Sequence, residues 1–156
     1  MSAVILPGSY DPITLGHMEI VKQASRLYDE VYLTAFINPA KEYTFSLDDR
    51  VKMMMLAADE YDNVLVSFST GLVIDYMREH GIEKIIKGYR NDADLEYEKK
   101  QAEWNFKMGG YETEFIKCDT EFEDISSTEA RRRIKEGEDL GGLLPAAVIE
   151  YIRSIT

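Results

Sequence analysis

The amino-acid sequence predicts an α/β domain built on a five-stranded parallel sheet with helices on both faces. Three observations carry that prediction. Short runs rich in β-branched and aromatic residues alternate with segments of helical periodicity along the whole chain. Such alternation produces strand–helix–strand crossovers, which build parallel sheets covered on both sides. The 156 residues match one ordinary domain, and no repeat, linker or low-complexity tract divides residues 1–156.

The elements follow in order. Ala3–Leu6 is a short apolar strand, and Ile20, Val21, Ala24, Leu27 and Tyr28 then recur at helical spacing. Val31–Ile37 is the second strand, rich in aromatic and β-branched residues. Ser46 is the N-cap of a helix whose apolar face is Val51, Met54, Met55 and Ala58. Val64–Phe68 is a strand and Leu72–Glu79 a helix, stopped by Gly81. Lys84–Lys87 is a strand, followed by a polar helix over Asp94–Met108 that ends at Gly109 and Gly110. Glu112–Lys117 is the last strand, and helices over Ser127–Glu136 and Pro145–Ile155 close the chain, the latter with proline in its first turn.

Composition narrows the function. Cys118 is the one cysteine, which excludes a disulfide framework and a multi-cysteine zinc site and fits a reducing compartment. The opening residues carry no basic region before their brief apolar run, and no apolar stretch approaches the roughly 20 residues that span a bilayer. A cytoplasmic protein is expected. The net charge of −11 argues against nucleic acid and anionic lipid surfaces as partners. Anionic substrates would need a local basic pocket on this acidic background.

In open parallel sheets ligands bind beyond the carboxyl ends of the strands, so the loops after each strand matter most. The first reads Pro7-Gly8-Ser9-Tyr10-Asp11-Pro12-Ile13-Thr14-Leu15-Gly16-His17. Gly8 permits close backbone approach, Ser9 supplies a hydroxyl, and His17 falls in the first helical turn, where free N–H groups and the helix dipole attract anions. The dipole disfavours an imidazolium there, but a bound polyphosphate favours it more strongly, so His17 is expected to become a donor when nucleotide binds. A helix-capping loop with an incidental histidine is the simpler alternative. Neither GxxxxGK[ST] nor GxGxxG occurs, which disfavours P-loop chemistry. Further polar segments follow later strands: Asn38-Pro39-Ala40-Lys41, Lys87-Gly88-Tyr89-Arg90 with Asp94-Leu95-Glu96-Tyr97-Glu98, and Ile125-Ser126-Ser127-Thr128. Ser126 and Glu129 have capping-box spacing, and a capped N-terminus and an anion site use the same donors. Arg131, Arg132 and Arg133 read as solvated side chains.

Together these segments resemble the nucleotidyltransferase superfamily with its (T/S)xxxGH-type signature region, and more closely the bacterial phosphopantetheine adenylyltransferases. The resemblance covers essentially the whole chain. It implies a single Rossmann-like domain that transfers AMP from ATP to 4′-phosphopantetheine, giving dephospho-coenzyme A and pyrophosphate. It assigns catalysis to His17, Lys41 and Arg90. ATP would meet Ser9, Tyr10, His17, Gly88, Tyr89, Arg90, Glu98, Phe122, Glu123, Asp124, Ile125, Ser126, Ser127 and Thr128. The acceptor would meet Ser9, Lys41, Leu72, Val73, Lys87 and Asn105. Mg²⁺ on the β- and γ-phosphates and a homo-oligomer, a hexamer, are also implied. The chain departs from the family pattern at Lys87, usually arginine, at Tyr89, usually leucine, at Asn91-Asp92, and in the acidic run Phe122-Glu123-Asp124. Lysine replaces a bidentate fork with a point charge. Two alternatives stay open: nucleotidyl transfer to another phosphate such as nicotinate mononucleotide, and a non-catalytic nucleotide-binding module.

The implied reaction needs no nucleophile–base pair. A phosphate monoester has its second pKa near ~6, so its oxygen is already anionic at neutral pH. The protein has only to align two repelling anions and neutralise the transition state.

Overall fold

The computed structural model describes residues 2–156. Its centre is one parallel sheet in the order β3-β2-β1-β4-β5, formed by β1 (Ala3–Gly8), β2 (Glu30–Phe36), β3 (Val64–Ser69), β4 (Lys84–Tyr89) and β5 (Glu112–Lys117). The helices are α1 (Leu15–Leu27), α2 (Leu47–Ala58), α3 (Val73–His80), α4 (Asp92–Gly109), α5 (Ser127–Glu136) and α6 (Ala146–Ile155). The order reverses between β1 and β4, so the chain crosses outward in both directions from that pair. A crevice opens where such a reversal occurs.

Alternation along the strands explains why both faces are covered. Val4 and Leu6 of β1 and Val31, Leu33 and Ala35 of β2 enter the larger core with residues of α1, α2, α5 and α6. Ile5, Ile85 and Tyr32 point the other way, into a smaller cluster with Tyr76 and Met77 of α3. Helix α4 packs on α3, β4 and β5, yet buries none of its own residues.

Sheet register creates the crevice. β1 pairs with β2 along its whole length, from Ala3 with Glu30 to Gly8 with Ala35. Its pairing with β4 holds only Val4 and Ile5. Pro7, which has no N–H to give a ladder, thus lies where β1 has parted from β4.

Several expected boundaries shift. β1 runs two residues past Leu6 because Pro7 and Gly8 stay in register with β2. α4 starts at Asp92 because Asn91, not a later residue, is its N-cap and accepts from Asp94 N–H. Pro145 is the N-cap of α6 rather than a residue of its first turn. Gly81 does end α3, in the left-handed conformation at φ 66°. The face of α2 needs a larger correction. Its buried positions are Arg50, Met53, Met54 and Ala58, while Met55 is 56% exposed and Val51 only half-buried. An arginine inside the apolar stripe disguised the true phase of the helix.

Candidate active site at the strand-order reversal

A cavity of about 490 Å³ lies at the carboxyl ends of β1 and β4. Its walls come from the loop after β1, the start of α1, Lys41, the end of β4, the first turns of α4, and the segment leading into α5. Of the residues expected from the sequence, Ser9, Tyr10, His17, Lys41, Lys87, Gly88, Tyr89, Arg90, Glu98, Phe122, Ile125, Ser126, Ser127 and Thr128 line it. Leu72, Val73, Asn105, Glu123 and Asp124 do not. Leu72 and Val73 begin α3 beyond β3 and Asn105 lies on α4, two helices that touch each other. Glu123 pairs instead with Lys117 at 3.5 Å.

The loop after β1 is held from both sides. Asp11 is buried, and its carboxylate accepts from the N–H groups of Thr44 and Phe45 at 2.8 and 2.9 Å. The Asp11–Pro12 peptide is cis. The carbonyls of Asp11 and Pro12 accept from Arg131 Nη1 and the Ser127 hydroxyl, at 2.9 and 2.8 Å. The start of α5 is therefore stapled to the loop, and Arg131 is a structural tie rather than a solvated side chain. Arg132 and Arg133 are ion-paired with Glu129, which leaves that glutamate unavailable to complete the expected capping box; Ser126 still caps Glu129 N–H.

Tyr10 adopts φ 49°, a left-handed conformation that costs a bulky residue about 1–3 kcal/mol. Two contacts hold it there. Its hydroxyl donates to Leu6 O at 2.8 Å, and its ring stands edge-on to His17 at 4.9 Å. The ring also closes over Gly8, where an added Cβ would lie 3.1 Å from Tyr10 carbons. With its hydroxyl turned back to β1, Tyr10 lines the cavity.

His17 sits at the third position of α1. Its backbone N–H donates to Thr14 Oγ1 at 3.2 Å, and its Nδ1 accepts from Thr14 N–H at 3.0 Å, which closes a reciprocal cap. An Nδ1 that accepts is unprotonated, so the neutral ring carries its hydrogen on Nε2. Burial, reinforced by the charges of Lys87 and Arg90, pushes the imidazole down to about 4. In this state the ring is therefore neutral, with its hydrogen on Nε2. A second proton would have to sit on Nδ1, facing the Thr14 N–H. In the same turn Leu15 N–H is taken by Leu143 O, which leaves the Gly16 N–H open on the cavity wall.

Three cationic side chains complete the floor. Lys41 Nζ donates to Ser9 Oγ at 3.2 Å. Lys87 Nζ donates to Pro7 O at 3.3 Å across the gap between β1 and β4, and lies 3.5 Å from Glu98. Arg90 grips Asp94 with Nε and Nη2, at 2.8 and 3.2 Å. That grip holds the Asp94 carboxyl below its ordinary range. Both carboxylates of the cavity are thus matched to cations in this state. Cys118 also lines the cavity, but burial pushes its thiol up, so it is no ready nucleophile.

The sequence reading passed over Arg50, Thr14, Asp11, Asp94 and Arg131 as individual actors. Asp11, Thr14 and Asp94 stood inside quoted motifs, where their neighbours carried the reading. Arg50 left one trace, a charge where the apolar repeat of α2 requires burial.

The arrangement can bind a polyphosphate between the Gly16 N–H, His17, Lys41, Lys87 and Arg90, and a flat apolar group against Phe122 and Ile125. Comparison with known proteins agrees with the architecture. The cytidylyltransferase-like family pattern matches residues 5–133. A phosphopantetheine adenylyltransferase of Clostridium novyi is 38% identical over 153 residues, which is 97% of this chain and 95% of that one. The Frankia casuarinae protein of the same name is 37% identical over 157 residues, 98% of this chain and 97% of its own. In fold, the chain is similar to a Vibrio parahaemolyticus protein described as a nicotinate-nucleotide adenylyltransferase. The TM-score is 0.73 at 18% identity, covering 99% of this chain and 93% of the other. On matches of this identity over nearly its full length, the chain belongs to the phosphopantetheine adenylyltransferase family of cytidylyltransferase-like proteins.

Proposed function

We propose that this protein transfers the adenylyl group of ATP to 4′-phosphopantetheine, releasing pyrophosphate and forming dephospho-coenzyme A. The observation that carries the reading is the meeting, in one cavity at the β1–β4 reversal, of a neutral His17 donor with Lys41, Lys87 and Arg90.

The chemistry follows from charge. The acceptor phosphate is already anionic, so its oxygen attacks the α-phosphorus of ATP directly while the bond to the pyrophosphate oxygen breaks. Ser9 and Lys41, joined at 3.2 Å, hold the acceptor phosphate. His17 Nε2–H and Gly16 N–H meet the α-phosphate oxygens, where charge builds in the transition state. Arg90 takes the departing phosphates, exchanging part of its grip on Asp94 for a more highly charged partner. Lys87 keeps a point charge at the junction of the two substrates. Phe122, with Ile125 through Thr128, encloses the adenine end, and Tyr89 and Glu98 flank the nucleotide.

Metal assistance fits this wall. Among the described residues no three His, Cys, Asp or Glu side chains converge as a cage, and the two cavity carboxylates, Asp94 and Glu98, are paired with Arg90 and Lys87. A cation held by phosphates more than by protein is the usual habit of Mg²⁺. We assign Mg²⁺ to the triphosphate, where it neutralises phosphate charge. Exposed apolar side chains on β3 and α4, among them Phe68, Trp104, Phe106 and Met108, support a homo-oligomer, the hexamer that family membership suggests. No described helix is long and apolar enough to cross a membrane, and the soluble substrates support a cytoplasmic enzyme.

The test is pyrophosphate release from ATP and Mg²⁺ with either 4′-phosphopantetheine or nicotinate mononucleotide. Release only with phosphopantetheine is expected. Release only with the mononucleotide would transfer the assignment to that acceptor, and ATP binding without release for either would make the protein a sensor.

A further inference from the structure

Arg50 is an anomaly inside α2. It is 2% exposed, it forms no ion pair among the described residues, and its Nε has no hydrogen-bond partner. Burying an unpaired guanidinium is costly, and cores ordinarily avoid it. Its two contacts explain why it is there. Nη1 donates to the Ser9 carbonyl at 2.9 Å, and the guanidinium plane lies over the Tyr43 ring at 3.9 Å. Tyr43 in turn accepts the Asn38 N–H on its hydroxyl at 2.9 Å, and Asn38 O accepts the Lys41 N–H at 3.0 Å. One buried cation thus touches the backbone of the first loop directly and the lysine loop through a single aromatic ring. The two loops meet again at their tips, where Lys41 Nζ reaches Ser9 Oγ.

We propose that Arg50, stacked on Tyr43, is a positioning residue that sets Ser9 and Lys41 in a common register for the acceptor phosphate. Resting on the adenylyl-transfer reading, this assignment adds a residue that touches neither substrate. Arginine suits the place because its planar fork stacks flat on the ring and donates at once, whereas a lysine keeps the charge without the flat stack. The charge left without a carboxylate also favours an anion arriving at Ser9 and Lys41, through buried surroundings that screen it little.

The experiment compares wild type with Arg50→Lys, Arg50→Met and Tyr43→Phe, after circular dichroism confirms the fold of each. Arg50→Met is expected to raise the acceptor KM on the order of tenfold or more while the ATP KM stays within about twofold. Arg50→Lys should restore only part of that loss, and Tyr43→Phe, which keeps the stack but frees Asn38, should raise the acceptor KM several-fold. A lowered melting temperature with both KM values unchanged, or equal rises for both substrates, would overturn the assignment. Tyr43→Phe leaves the charge in place, so an unchanged acceptor KM in that variant overturns it even if the Arg50 variants do not fold. Titration with inorganic phosphate separates this inference from the proposed function, because it needs no knowledge of the acceptor. Weaker phosphate binding by Arg50→Met supports the assignment whatever the wild-type enzyme adenylylates, and unchanged binding contradicts it.

Discussion

His17 shows how a single residue can be set for its task by a contact that has nothing to do with substrate. The Thr14 N–H meets Nδ1 as an acceptor at 3.0 Å, so the neutral imidazole carries its one hydrogen on Nε2. A neutral donor is insensitive to pH above its own titration and leaves the positive charge at the site to Lys87 and Arg90. Two substitutions separate its roles. In His17→Asn the side-chain oxygen takes the place of Nδ1, so the cap survives while the Nε2 donor is lost. Turnover should fall on the order of 10²–10³, the usual loss for one transition-state donor, with little change in melting temperature. His17→Gln places an amide nitrogen nearer the Nε2 position and should recover part of the rate. Kinetics in which both variants retain wild-type turnover would remove this ring from the chemistry.

At the scale of elements, the site depends on how closely α1 lies on β4. An added Cβ at Gly88 would stand 2.5 Å from Ile20 Cγ1, and Ile20 is buried within the core. Gly88→Ala must therefore push α1 outward, and His17, one turn before Ile20, moves with it relative to Arg90. Overpacking of this kind costs about 1–3 kcal/mol, or roughly 2–12 °C in a chain of this size, and turnover should drop as well. Ile20→Ala in the same chain opens the space, so the double variant should be less impaired than the sum of the two. Additive losses, measured by thermal melts, would show that contact between α1 and β4 is not the limit. The element order and all five strands could be read from the sequence because apolar runs and helical stripes are local patterns. Gly8, Lys41 and Arg90 could be read because they lie at or just after strand ends. What stayed hidden was non-local. The phase of α2 was obscured by Arg50, whose reason for burial is a carbonyl 41 positions away. The Ser127 and Arg131 staples bind carbonyls 115 and 120 residues away.

For the whole molecule, the surroundings of His17 make the fold sensitive to acid. The chain carries a net charge of −11, yet burial, with the charges of Lys87 and Arg90, holds the His17 pKa at about 4 against an ordinary 6.5. The sign of the consequence follows from proton counting. Between those two values the unfolded chain binds a proton on this histidine and the folded chain does not, so stability rises with pH across the window. The contribution is complete above about 6.5 and is lost as pH falls toward 4. The gap corresponds to at most on the order of 3 kcal/mol, less because the half-buried ring faces a cavity open to water. Asp94 adds a loss at lower pH, since Arg90 holds its carboxyl below the ordinary 3.8. The melting temperature should therefore decline from pH 7 to about pH 5.5, above the range in which ordinary carboxylates titrate. In His17→Asn, which keeps the cap and has nothing to protonate, the curve over that interval should be flatter than in wild type. Parallel curves for the two proteins would mean that His17 is already solvated enough to titrate normally, and the neutral donor of the proposed mechanism would have to be abandoned with it.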